Sequence, residues 1–115
     1  MHKDDFIRLR HMLDAAKELE DFTHSKTRQD LDDDRLLALG VIKAIEIVGE
    51  AASKVSTDVK SQFSDIPWED ITGMRNRLIH VYFRVDLNRV WDTVKEDIPK
   101  LKSILERIIT DNWME

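Results

Sequence analysis

Residues 30–55 read DLDDDRLLALGVIKAIEIVGEAASKV, and the fold turns on how that stretch is buried. At about 100° per residue, Leu37, Val41, Ala44, Ile45, Val48, Ala51, Ala52 and Val55 line one wide helix face. Ala38, Ile42 and Gly49 extend it on one side, and Leu36, Gly40 and Ile47 on the other. Only a narrow strip of Lys43, Glu46, Glu50 and Lys54 is polar. A helix apolar over most of its circumference is buried on several sides. In a chain of 115 residues, one of those sides is read as facing a second copy, which makes a homodimer. The alternative is the central helix of a monomeric bundle.

Working outward, residues 3–22 form an amphipathic helix, with Phe6, Leu9, Leu13 and Ala16 at helical spacing and Met12 and Leu19 widening the stripe. THSKTRQD (23–30) is polar and reads as a loop. The long helix then runs over about 32–55, and Asp32, Asp33 and Asp34 mark its start, where the helix dipole favours negative charge. STDVKSQF (56–63) is a short helix capped by Ser56 or Thr57. The next helix starts with Pro67 near its first turn and runs to about residue 80. VYFRV (81–85) is a connector or a frayed continuation, and Asp86 caps the helix after it. Pro99 kinks that helix or begins a new one, on which Leu101, Ile104, Leu105 and Ile108 form the closing stripe.

The totals agree with a single all-α domain over residues 1–115. Gly and Pro together number only five, and charged residues are 36% of the chain. There is no cysteine, so disulfides and thiolate metal sites are excluded. The opening residues MHKDDFIRLRHML carry acids where a signal peptide needs an apolar run. No apolar stretch approaches the roughly 20 residues of a membrane helix. A soluble, cytoplasmic protein is expected, with no membrane partner.

Net charge is −5, which argues against broad nucleic-acid binding. Yet residues 73–91 hold Arg75, Arg77, Arg84 and Arg89 against Asp86 alone, so this window is +3 and the remaining residues sum to −8. Local fields, not totals, steer a polyanion. If the helix continues to residue 80, Ile71, Met74 and Leu78 are its apolar stripe. Asn76 and His80, four apart, then stack on the opposite side, so His80 points away from its own core. Arginine offers a fixed charge and a planar fork for phosphate oxygens. Histidine exchanges protons near neutral pH. Together they suit phosphodiester cleavage without a metal or any other cofactor. Set against this, one His and several Arg on a helix most often make a solvated, salt-bridged surface.

The stretch Arg75-Asn76-Arg77-Leu78-Ile79-His80-Val81-Tyr82 resembles the Arg-x-x-x-x-His-x-Tyr signature of HepT-like toxins of the HEPN superfamily. The resemblance extends to AIEIVGEAASKVS (44–56), IPWEDITGMRNRLIHVYFRVD (66–86), VW (90–91) and DIPKL (97–101). It implies a HEPN-type antiparallel helical bundle, paired as a homodimer whose two motifs meet in one composite cleft. It also implies the toxin of a prokaryotic type VII toxin–antitoxin pair, a metal-independent endoribonuclease cutting mRNA or tRNA. Arg75 and His80 would then be catalytic, with Asn76 supporting. The partner would be a minimal nucleotidyltransferase antitoxin that uses ATP and magnesium to place AMP on Tyr82. By helical extrapolation alone Tyr82 is a core residue, so a break after His80 is expected to free it. Arg77 and Arg84 are candidates for binding RNA or the antitoxin. The alternative function is a non-catalytic helical partner of a nucleotidyltransferase.

The remaining polar residues carry less. His2, His11 and His24 have no partners at metal spacing and read as surface. Trp68 and Trp91 read as packing residues. Glu46 and Glu50 form a solvated strip or pair with Arg75 or Arg77, and Arg89 has no assigned role.

Overall fold

A computed structural model of the chain describes residues 1–74 and 85–112. Within them the protein is all-α. Helix α1 (Lys3–Thr23) begins at His2, whose Nδ1 accepts the Asp4 N–H at 3.0 Å. Its stripe of Leu9, Met12, Leu13, Ala16 and Leu19 is buried, as the spacing requires.

A short helix, α2 (Arg28–Asp33), lies where the sequence suggests a loop. The Asp30 carboxylate accepts the Thr27 N–H at 2.6 Å, which satisfies a donor at the helix start. That bond holds the Asp30 carboxyl below the usual carboxylate range. Leu31, buried, pins the helix to the core.

Helix α3 (Arg35–Ser53) therefore starts later than expected. Asp34 is extended, and its Oδ1 accepts the Leu37 N–H at 3.1 Å. The predicted core face is correct for Val41, Ala44, Ile45, Val48, Ala51 and Ala52, all buried on α3, and for Val55 just beyond it, also buried, while Leu37 is half-buried. Leu36, read as an edge of the buried surface, is 81% exposed. Leu39 beside it is 49% exposed, and Phe22 of α1, lying over Gly40, is 38% exposed.

Two contacts fix the direction of α3 against α1. The Phe22 ring, near the end of α1, lies over Gly40 near the start of α3, 3.7 Å from where a Cβ on Gly40 would stand. Asp5, near the start of α1, reaches Ser56 just beyond the end of α3. The two helices are thus antiparallel. The Asp5 carboxylate, only 7% exposed, accepts both the Ser56 N–H and its hydroxyl at 2.8 Å. Ser56 in turn caps α4 (Thr57–Gln62) by accepting the Val59 N–H at 3.3 Å. Asp5→Ala leaves those two donors without their charged acceptor. We expect a loss of about 3 kcal/mol, read as a lower midpoint in urea denaturation. A loss below about 1 kcal/mol would show that water replaces the carboxylate.

Helix α5 (Trp68–Thr72) begins after Pro67 and packs on α3. Trp68 is buried, and its indole N–H donates to the Phe63 carbonyl at 3.1 Å. The helix expected to reach about residue 80 is interrupted at Gly73, whose N–H donates to the Glu69 carbonyl at 3.0 Å; Met74 after it is helical again, and residues 75–80 of that expected helix lie outside the described residues.

The last third is one uninterrupted rod of three parts: α6 (Leu87–Asp92), a π-helical turn (Thr93–Asp97) and α7 (Ile98–Asp111). Asp86 caps it through its Oδ1 and the Arg89 N–H at 3.1 Å. Val90, Val94 and Ile98 are all buried along it. The wider turn suits Pro99, which has no N–H to give and whose ring would press on a carbonyl four residues back. Pro99 thus opens a new helical segment, as one of the two sequence readings has it. It sits in the first turn of α7. Near its start α7 is tied to the far end of α1 by Lys102 and Glu20 at 3.0 Å, so α1 and α7 are also antiparallel. The Glu20 carboxylate raises the Lys102 pKa by accepting its hydrogen bond.

One cluster of buried side chains joins α1, α3, α5, α6 and α7. No described helix is long and apolar enough to cross a membrane.

Candidate active site

The residues singled out in the sequence as the reactive group, Arg75, Asn76, Arg77, His80, Tyr82 and Arg84, lie outside the described residues. So does the expected break that frees Tyr82. What the structure fixes is the frame that holds this segment at both ends.

At the entry, α5 delivers the chain to Met74, which is buried in the core. Behind it, the carbonyl of Ile71 comes so close to α3 that a Cβ built on Gly49 would lie 3.2 Å from its oxygen. At the exit, Val85 and Leu87 pack against the same core. The side chain of Asn88 then accepts the Arg28 Nε–H of α2 at 2.7 Å, and Arg28 also pairs with Asp32 at 3.0 Å. Helix α2, missed as a loop, is therefore the brace of the exit. The Thr27 and Asp30 pair, three apart, was the signal that would have found it.

A cavity of about 540 Å³ opens beside the entry, between α5 and the rod. Ile71, Met74, Leu101 and Ile104 supply its apolar lining. Its rim carries Asp65, Asp70, Asp92, Glu96 and Asp97 against Arg89 and Lys100. Acidic side chains thus outnumber basic ones on this rim. Arg89, grouped with the motif arginines in the sequence, belongs to this rim and is exposed.

The other residues fall as follows. Glu46 is half-buried and pairs with Lys43 at 3.9 Å, while Glu50 is exposed. Trp91 is half-buried under the Lys95 ammonium, 4.8 Å from the ring centre, a packing role rather than a base platform. His2 is a helix cap, and His11 and His24 are exposed. Among the described residues no group of three or more His, Asp or Glu side chains is placed to hold a metal ion.

Comparison with known proteins fits this frame. The pattern of the family described as "Ribonuclease HepT-like" matches residues 12–108, from within α1 to near the end of α7. The chain belongs to the HepT-like ribonuclease family. Its bundle is accordingly of the HEPN type. A protein of Thermococcus cleftensis named "Probable ribonuclease HepT" is 40% identical over 107 residues, covering 93% of this chain and 94% of its own. Two proteins of Methanocaldococcus jannaschii are also similar. One, named "Putative RNase", is 36% identical and covers 83% of this chain and 87% of its own. The other, named "Gamma-glutamylcyclotransferase and putative RNase", is 39% identical over 96% of this chain. This HepT-like chain spans about half of that longer relative (50%). No solved structure matches.

Proposed function

We propose that this HepT-like protein is a metal-independent endoribonuclease, the toxin of a type VII toxin–antitoxin pair. One observation carries the reading. A chain of the HepT-like family holds Arg75, Asn76, His80 and Tyr82 at the spacing of the motif it resembles. The firm anchoring of Met74 and Val85 on either side supports it, because acid–base chemistry needs a fixed scaffold.

In this mechanism His80 takes the proton of a ribose 2′-hydroxyl. The 2′-oxygen attacks the adjacent phosphorus, and the bond to the 5′-oxygen breaks. The proton held by His80 is handed to that leaving oxygen, directly or through water, giving a 2′,3′-cyclic phosphate and a 5′-hydroxyl and returning the imidazole to its neutral form. Arg75 holds the added negative charge of the phosphorane, and Asn76 orients the imidazole or a phosphate.

The chain acts as one domain, in a homodimer, in the cytoplasm. The exposed leucines of α3, Leu36 and Leu39, support the dimer, since a large apolar side chain left 81% exposed is a surface to be covered. Its further partner is a minimal nucleotidyltransferase that silences it through Tyr82. The deciding experiment is incubation of total cellular RNA with the purified protein, free of antitoxin and in excess chelator. We expect cleavage, and a mass without bound AMP. Intact RNA from unmodified dimers would favour the non-catalytic partner reading instead.

A further inference from the structure

We propose that Gly49 is a positioning residue: its bare backbone is the seat on which α5 rests, and this seat sets where the chain enters residues 75–82. The proposal rests on the ribonuclease reading for its effect on rate, but the seat itself rests on geometry alone.

Glycine inside a helix costs stability, because it gives up more backbone freedom than alanine. Gly49 nonetheless stands in the second half of α3, fully packed. A Cβ there would meet the Ile71 carbonyl oxygen at 3.2 Å and the Thr72 oxygen at 3.9 Å. Only the first is tighter than ordinary contact, and it is a backbone atom in a five-residue helix whose last residue, Thr72, stands three before Arg75. A methyl at residue 49 therefore cannot be absorbed by a rotamer change of its neighbour. The Ile71 backbone must give by a few tenths of an ångström, and further for a larger side chain.

Gly40 provides the control within the same helix. A Cβ there would meet only the Phe22 ring, at 3.7 Å, which is ordinary contact with a movable side chain. Alanine at either position improves helix propensity equally. Only at residue 49 does it displace backbone leading to the motif.

The experiment compares Gly49→Ala, Gly49→Val and Gly40→Ala in the full chain, each checked for native helicity. Amide hydrogen exchange is followed in peptides covering 68–84, and kcat and KM are measured for RNA cleavage. We expect faster exchange in those peptides for both Gly49 variants and none for Gly40→Ala. We expect kcat to fall roughly three- to tenfold for Gly49→Ala and further for Gly49→Val, with KM little changed. Unchanged exchange in 68–84 for folded Gly49→Val overturns the seat. Altered exchange with an unaltered kcat overturns its role in the reaction. If the parent itself does not cleave RNA, the ribonuclease reading has failed, and exchange alone still decides the seat.

Discussion

His80→Ala is expected to lower RNA cleavage by about 100- to 10,000-fold, the usual worth of a positioned acid–base group, with the fold unchanged. His80 is the only histidine between Gly73 and the end of the chain, so no neighbour in the motif can take over its proton transfer. The others, His2, His11 and His24, belong to α1 and the turn after it. His2 is occupied as a cap. The measurement is a time course on one RNA, parent and variant at equal concentration in chelator, with circular dichroism to show equal helicity. Equal rates would remove His80 from the mechanism. A parallel loss in Arg75→Ala, with partial recovery in Arg75→Lys, would separate charge stabilisation from proton transfer, because lysine keeps the charge but not the planar fork.

Tyr82→Phe should keep cleaving RNA while escaping the antitoxin altogether. AMP transfer forms a bond from the phenol oxygen to the α-phosphorus of ATP and breaks the bond to the leaving pyrophosphate. Phenylalanine offers no oxygen, so no bond can form. AMP on Tyr82 would add bulk and negative charge close in sequence to Arg75, Arg77 and Arg84, which would offset the positive charge proposed to attract RNA. The check is intact mass and cleavage rate for both forms, before and after treatment with the nucleotidyltransferase, ATP and magnesium. Tyr82 is excluded as the modified residue if the phenylalanine form gains the mass of AMP. It is also excluded if both forms are silenced equally.

How much of this was legible beforehand depends on the kind of signal. The core face of α3 was, because Val41, Ala44, Ile45 and Val48 repeat at the helical period over several turns. Helix α2 was not legible from periodicity, since Leu31 is its one buried apolar residue; its signal is the Thr27–Asp30 capping pair. The exposure of Leu36 was not either. Periodicity tells which residues are apolar, but not whether the second surface belongs to the same chain. The π turn was hidden behind Pro99, which announces a disturbance without its form. Arginine and histidine at this spacing, taken alone, favoured a solvated surface. The reactive group was legible only through resemblance to a family, and the family is now shown.

The π turn at Thr93–Asp97 has a consequence for how the protein is partitioned. A π turn holds one residue more than the α-helix it interrupts, so it acts as a phase shifter between two halves of one rod. Upstream, Asp86 and Arg89 take their azimuth from α2 and the exit of the motif segment. Downstream, Leu105 and Ile108 take theirs from the bundle core. Both halves are nevertheless tied to one core, since Val90 before the turn and Leu105 after it are fully buried. Removing a single residue from the turn would rotate one half by about 100° against the other. One codon gained or lost there would therefore pull either Val90 or Leu105 out of the packed bundle.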